Sequence, residues 1–274
     1  MSELVDSPLD EDLIRAALPT WPGKLVVVAE TGSTNADVRA AALAGRADPG
    51  YVVVAERQSE GRGRLDRTWT AAPGEGLTFS ALLRPEHVPA DRWAWLPLLA
   101  GVAVSDAVRG LRVKWPNDVL DAAGGKVAGI LVERIDAPSG PMAVVGIGIN
   151  VSGAPDISGA SSLARAGADD VNRVSVLAAV LTALANRFLA WHAEAGDAEA
   201  SGLIAAYRAV SATLGAEVRV DLPGGELLTG RAEAIDSDGT LVIAGATGLV
   251  RVAAGDVTHV RAVGSGAAPA GDPE

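Results

Sequence analysis

Along the chain, short continuous apolar runs alternate with longer stretches of helical spacing. Leu9, Leu13, Ile14, Ala17 and Leu18 recur at helical intervals until Pro19 and Pro22, which predicts one short helix. Lys24–Glu30 is an apolar run between turn residues and reads as a buried strand. Thr31-Gly32-Ser33-Thr34-Asn35 then leads into an alanine-rich helical segment over Val38–Ala44. Tyr51–Glu56 and Gly76–Arg84 read as two strands paired across an unusually long connector, and long connectors in compact domains often carry function. Trp93, Leu96, Leu99, Val102, Ala103 and Val104 predict a largely buried helix over Ala90–Val108, with a kink at Pro97.

Further strands are expected on both sides of Pro116 within Leu111–Leu120, then over Lys126–Glu133 after a tight Gly124-Gly125 turn, and over Pro141–Asn150. Period-two alternation puts Gly146 and Gly148 on one face of the last of these, where paired glycines mark close approach of backbone or ligand. An amphipathic helix over Arg173–Ala195 and a second over Ala198–Val210 follow. Past Ser211 the pattern changes to short alternating strands between the turns Pro223-Gly224-Gly225 and Asp236-Ser237-Asp238-Gly239, the scale of a five-strand barrel. The expected organisation is a short N-terminal segment (1–22), a mixed α+β domain (23–210), a small β-barrel (211–262) and a disordered tail (263–274).

Composition narrows the chemistry. The 274 residues include no cysteine and three scattered histidines, His87, His192 and His259, so neither thiol chemistry nor a histidine-based metal site is expected. The N-terminus lacks the basic and apolar regions of a signal peptide, and the longest apolar run, Ala94–Val104, is about half a membrane span. The expectation is a cytoplasmic protein without a membrane partner. A net charge of −11 argues against a nucleic-acid partner.

Against that negative total, Arg62, Arg64 and Arg67 crowd with Gly61, Gly63 and Trp69 onto the connector that begins at Gln58. Local cations within a global anion point to a particular anionic ligand. The basic residues are nearly all arginine; the lysines are Lys24, Lys114 and Lys126, and Gln58 is the sole glutamine. Ser33, Thr34 and Asn35 read from spacing alone as a helix cap, or as polar groups offered to a ligand at a helix N-terminus. No histidine accompanies these residues, no carboxylate pair dominates, and neither phosphate-loop fingerprint is present. Cations, amides and one acid (Asp118) fit phosphoryl chemistry, in which positioning and charge neutralisation supply most of the catalysis.

Five segments in order, Gly-Ser-Thr-Asn at 32–35, Gly-Arg-Gly-Arg at 61–64 with Arg67 and Trp69, Lys-Trp-Pro-Asn-Asp at 114–118, Gly-Lys-Val-Ala-Gly-Ile-Leu at 125–131 and Gly-Ile-Gly-Ile-Asn at 146–150, resemble the biotin protein ligases over roughly residues 24–260. The resemblance implies a catalytic domain of the biotin/lipoate protein ligase type (class II synthetase-like) with a C-terminal SH3-like barrel. It implies biotin and ATP with Mg²⁺ as ligands, a biotin carboxyl carrier domain of an acyl-CoA carboxylase as protein partner, and a monomer or weak homodimer. On matching positions, Ser33, Thr34, Asn35, Gln58, Gly61 and Arg62 would bind biotin, with Gly129, Gly146 and Gly148 clearing space for it. Lys126 would contact the biotin carboxylate and α-phosphate, and Arg64 and Arg67 would hold phosphates. Trp69, Asn117 and Asn150 would place the nucleotide, and Asp118 the Mg²⁺. The Gln58–Trp69 loop would close as a glycine-hinged lid.

Glu60 departs from the family loop, which carries a small residue there; an acid at this position would weaken anion binding or pair with an arginine. The roughly twenty residues before the first strand are too few for the winged-helix domain of the repressor members. Two other readings stay open: a lipoate or octanoate ligase of the same fold, and a biotin-binding regulator without catalysis.

Overall fold

Asp10 accepts a hydrogen bond from the Leu13 amide at 3.0 Å and starts α1 (Glu11–Ala17), which buries Ile14. This computed structural model describes residues 8–259 except 66, 169–171, 223–224 and 254, so the expected tail lies outside the described residues. The apolar run after Pro22 forms β1 (Leu25–Thr31), which passes through α2 (Thr34–Leu43) to β2 (Val52–Gln58). The helical crossover returns the chain in the same direction, and β1 and β2 pair in parallel. Across the long connector, β3 (Gly76–Leu83) runs antiparallel to β2 and is buried along its whole length.

A 3-10 turn over Ala90–Ala94 precedes α3 (Trp95–Ala107). The helix expected from Ala90 is thus divided between two helix types at Trp95. Pro97 sits in the first turn of α3, where its missing N–H has no helical acceptor to lose. Then come β4 (Arg112–Lys114), a turn with a cis Trp115–Pro116 bond, β5 (Asp118–Leu120), β6 (Lys126–Ala137) and β7 (Gly140–Asn150). These strands make a seven-stranded mixed sheet in the order β1-β2-β3-β7-β6-β5-β4.

α3 lies against this sheet, and two further helices pack on α3. α4 (Arg173–Ala193) starts at Asn172, whose side chain accepts from the Ser175 amide at 2.8 Å. By length and composition α4 is the one helix among the described residues apolar enough to cross a membrane, yet Leu177, Leu181, Leu184 and Trp191 are spent on the core. α5 (Leu203–Val210) begins later than its periodicity predicts, because Gly202 takes a left-handed φ of 73° in front of it. Arg173, 3% exposed, is 2.5 Å from Glu56 at the end of β2 and ties α4 to the sheet.

After α5 the chain forms β8 (Glu217–Asp221), β9 (Leu227–Ile235), β10 (Leu241–Gly245), β11 (Gly248–Val252) and β12 (Asp256–His259). They pair antiparallel in the order β11-β10-β9-β8-β12. This sheet is anchored to the first by tryptophan side chains. Trp115 donates from its amide to Thr213 Oγ1 at 2.9 Å and from Nε1 to the Gly239 carbonyl at 3.2 Å, while Trp95 Nε1 donates to the Ser237 carbonyl at 2.9 Å. The architecture is α+β, as expected, and β12 is brought beside the long connector.

Candidate functional site

The ends of β1, β2, β6 and β7 and the connector enclose a cavity of about 280 Å³, lined by Ser33, Thr34, Asn35, Gln58, Arg62, Arg64, Arg67, Trp69, Asn117, Asp118, Lys126, Gly129, Gly146, Gly148 and Asn150. Gly61, whose added Cβ would fall 2.3 Å from the Trp69 carbonyl oxygen, supports the connector that forms one side. The predicted residues therefore converge on one place, in two very different settings.

The first setting is an uncharged wall where β1 turns into α2. Ser33 is the N-cap of α2, but its side chain makes no capping bond. That role falls to Gln58, whose Oε1 accepts from the Thr34 amide at 2.8 Å. Thr34 Oγ1 lies 3.0 Å from Gln58 Oε1 and 2.7 Å from Ser80 Oγ. Ser80 Oγ is 2.6 Å from Asn35 Oδ1, and Asn35 Nδ2 donates to Glu133 Oε2 at 2.7 Å and to the Leu131 carbonyl at 3.3 Å. Thr34, Asn35 and Ser80 are buried. Gly146 leaves room for this network, since a Cβ there would fall 2.2 Å from Asn35 Oδ1. Sequence reasoning misses Ser80 and Glu133, which belong to none of the motifs. The available signal for Ser80 is a hydroxyl that, with Thr78 two residues earlier, marks one face of a largely apolar strand.

The second setting is the arginine connector. It folds back on itself: Gly63 donates from its amide to the Arg67 carbonyl at 2.7 Å, Trp69 to that of Gly61 at 2.9 Å, and Leu65 between them takes a φ of 54°. The Trp69 indole lies on the sheet where Gly148 and Gly129 leave space. A Cβ on Gly148 would be 2.3 Å from Cε2 of that ring, and one on Gly129 3.0 Å from Cζ3. In this structure the three sheet glycines thus clear the protein's own Trp69 and Asn35. Trp69 Nε1 is buried without a partner among the described residues.

Two of the cations in this half, Lys126 and Arg67, are paired with carboxylates. Lys126 Nζ is 2.6 Å from Asp118 Oδ1 and 5.8 Å from the Trp69 ring centroid. Arg64 Nη1 donates to Asn117 Oδ1 at 3.3 Å and to the Gly255 carbonyl at 3.5 Å, and Arg67 pairs with Asp256 of β12. Burial lowers the Arg64 pKa and Arg67 adds to that, while Asp256 and Asp118 act in the opposite direction. Burial also disfavours the charged form of Asp256, but the Arg67 hydrogen bond and the charges of Arg67, Lys114 and Arg64 outweigh it and hold its carboxyl below the usual range. Arg62 and Glu60 make no ion pair among the described residues. The pairing anticipated for Glu60 is absent, because its side chain is exposed to solvent on the Gly32 side of the turn.

The Lys-Trp-Pro-Asn-Asp motif divides its labour. Trp115 holds the second sheet, whereas Asn117 and Asp118 face the cavity, and Asn117 Nδ2 donates to the Ile130 carbonyl at 3.0 Å. Asn150 Nδ2 donates to the Ser161 carbonyl at 2.8 Å, leaving its buried Oδ1 as an acceptor without a partner among the described residues. A smaller space of about 210 Å³ adjoins the cavity and shares Thr70, Asn150 and Pro155 with it. No group of three or more His, Cys, Asp or Glu suited to a metal occurs among the described residues.

A mixed sheet with a polar wall facing an arginine connector, flanked by a small antiparallel sheet, is the architecture of the biotin and lipoate protein ligases. Residues 31–150 match the biotin/lipoate A/B protein ligase family, and residues 213–260 the biotin protein ligase C-terminal domain. The chain is 41% identical over 269 residues to the biotin–[acetyl-CoA-carboxylase] ligase of Mycobacterium tuberculosis, covering 93% of this chain and 97% of that protein. Its identity to the enzyme of the same name from Paracoccus denitrificans is 34%, over 84% of this chain and 98% of that one. A solved biotin protein ligase from Aquifex aeolicus in complex with biotin and ATP aligns with a TM-score of 0.72 at 28% identity, over 87% of this chain and 99% of that one. The chain belongs to the biotin protein ligase family.

Proposed function

We propose that the chain joins biotin to ATP as biotinyl-5′-AMP and then transfers the biotinyl group to a lysine of a biotin carboxyl carrier domain of an acyl-CoA carboxylase. The observation that carries this reading is the division of one cavity into an uncharged hydrogen-bonding wall and a cationic half containing Lys126, Arg64 and Arg67. A cyclic urea suits the first half, and a carboxylate meeting a triphosphate suits the second.

In the first step a biotin carboxylate oxygen attacks the α-phosphorus, and the bond to the β-phosphate oxygen breaks as pyrophosphate leaves. Two anions approach each other, which costs several kcal/mol in a water-poor site unless cations screen them. Lys126, Arg64 and Arg67 supply that screening as the substrate phosphates take over from Asp118 and Asp256. In the second step the carrier lysine attacks the acyl carbon, AMP leaves, and the amine proton passes to solvent. Ser33, Thr34, Gln58, Gly61 and Arg62 hold the biotin end. The free acceptor on Asn150 suits the amino group of adenine, with Trp69 and Asn117 completing the nucleotide site. Mg²⁺ would enter with ATP as part of the substrate, and Asp118 in the cavity lining would be the carboxylate to meet it; one carboxylate plus phosphates is an ordinary Mg²⁺ environment. We assign residues 23–210 to the catalytic domain and 211–262 to the C-terminal barrel, acting in the cytoplasm.

Biotin-dependent ATP–pyrophosphate exchange tests the reading. Exchange with biotin, and none with lipoate or octanoate, is the expected result. Exchange with lipoate alone moves the protein to the lipoate ligases, and none with any acid makes it a biotin binder without catalysis.

A further inference from the structure

We propose that Ser80 and Glu133, neither of which lines the cavity, act through Asn35 as positioning residues that turn the Thr34 hydroxyl into a hydrogen-bond acceptor, so that the wall selects a ligand presenting a ring N–H. This inference rests on the biotin reading above and specifies how that half of the site recognises its ligand.

The reasoning is a count of protons. Three oxygen–oxygen contacts run in series: Gln58 Oε1 to Thr34 Oγ1 at 3.0 Å, Thr34 Oγ1 to Ser80 Oγ at 2.7 Å, and Ser80 Oγ to Asn35 Oδ1 at 2.6 Å. Only the two hydroxyls have protons to give them, because the amide oxygens of Gln58 and Asn35 can only accept. One contact must go without a proton. The Asn35 amide settles which end is supplied first. Its Nδ2 faces the Leu131 carbonyl, which can only accept, as well as Glu133 Oε2, so its oxygen must face Ser80. The Ser80 proton therefore points at Asn35, and a Ser80 lone pair faces Thr34.

Thr34 then has two acceptors to choose from. Ser80 Oγ is the nearer at 2.7 Å, while Gln58 Oε1 at 3.0 Å already accepts from the Thr34 amide. The proton goes to Ser80, and the longest of the three contacts is the one left without it. Gln58 Oε1 and Thr34 Oγ1 are thus two lone-pair-bearing atoms side by side on the cavity wall. An N–H placed across them completes the series, whereas a ligand oxygen or an alkyl chain leaves the free lone pair of the buried Thr34 hydroxyl unmatched, which is costly. Asn35 is part of the wall, but both ends of its amide are committed to the protein. Gly146 is what allows it to stand there.

The test compares biotin with two cyclic-carbamate analogues, each with one ring N–H replaced by oxygen, in ATP–pyrophosphate exchange by the full chain. The wild type should prefer biotin over the analogue that lacks the inserted donor by about a hundredfold in kcat/KM. Ser80→Ala frees the Thr34 proton to turn toward Gln58 and should cut that preference about tenfold, raising KM for biotin with kcat nearly unchanged. Ser80→Thr, which restores the hydroxyl, should recover it. Glu133→Gln should shift the preference in the same direction by a smaller factor. A folded Ser80→Ala protein that keeps the full preference, or loses biotin and both analogues equally, overturns the proposal. If Ser80→Ala does not fold, an unchanged preference in Glu133→Gln overturns it instead. Absence of biotin-dependent exchange in the wild type would sink the parent reading and is thereby distinguished.

Discussion

The two halves of the cavity are built on opposite terms. In the wall, Thr34, Asn35 and Ser80 are buried and linked atom to atom by hydrogen bonds, without a charge-neutralising pair among them. In the cationic half, Lys126 of β6 and Arg67 of the connector are neutralised by Asp118 and Asp256, and the Arg67 side chain is 61% exposed. A neutral ring must be read by shape and by the direction of each hydrogen bond, which favours groups fixed in advance. Phosphates can be met by groups that exchange one anion for another. Exposed ion pairs are weak, so the exchange costs little. The wall should therefore respond to mutation through stability and biotin affinity, and the connector through ATP and rate.

The largest expected effect removes the cation at the meeting point of the halves. Lys126→Ala should lower biotin-dependent exchange by about 10²–10³-fold, the usual cost of losing one preorganised group aimed at developing charge. Its melting temperature should stay close to that of the wild type, because the lysine is partly exposed and leaves Asp118 near solvent. Full-rate exchange by this variant would remove Lys126 from the chemistry.

The sharpest form of the comparison uses one substitution twice on the same strand face. Gly146→Ala drives a Cβ to 2.2 Å from Asn35 Oδ1 in the buried network, whereas Gly148→Ala drives one to 2.3 Å from Cε2 of Trp69 on the connector. The first should destabilise the protein by about 1–3 kcal/mol and raise KM for biotin, since nothing there can shift freely. The second should cost less stability and act on ATP, because the connector can carry Trp69 away. Thermal melting with separate biotin and ATP titrations decides this. Equal losses at both positions would erase the distinction.

Much of the fold was legible because its strands are apolar runs and its long helix has a clean period. What failed was local. The Ala198 start of the second helix ignored the left-handed Gly202, and the single helix expected from Ala90 ignored the 3-10 turn before Trp95. The site was legible as a set of motifs and opaque as a set of roles. Ser33, read as a cap, leaves that function to Gln58 from another strand, a pairing no local window contains. Trp115 sits in a site motif but serves the second sheet. Ser80 and Glu133 were invisible because a polar residue on a strand does not announce what lies across from it.

The next effect down concerns the latch between connector and second sheet. Asp256→Asn should free Arg67 and lower KM for ATP by up to about fivefold, the range for a partly exposed pair. Because the folded pKa of Asp256 is depressed, its contribution to stability is present above the ordinary carboxylate pKa of about 3.9 and is lost as pH falls through the folded value. The wild type should lose stability more steeply than Asp256→Asn below about pH 4. His259 on the same strand has its pKa lowered by burial and by the nearby Lys114 and Arg112. Its contribution is therefore lost as pH falls below about 6.5, in both proteins alike. Melting curves from pH 3 to 8 separate the two groups, and identical curves for the two proteins would argue that the latch contributes nothing.

The smallest effect is expected at Glu60, at the start of the connector. An acid among arginines would suggest a built-in competitor for phosphate, but its side chain is solvent-exposed and makes no ion pair among the described residues. Its backbone, not its carboxylate, holds the turn: its amide donates to the Gly32 carbonyl at 2.9 Å, an interaction that any residue but proline provides. Glu60→Ala should leave stability within about 0.5 kcal/mol of wild type. KM for ATP should likewise stay within about twofold at physiological salt, where a solvated charge is screened. A larger fall in KM that disappears at high salt would show that the connector's anion site feels Glu60 at a distance, and would weaken the division between paired and free charges on which the comparison rests.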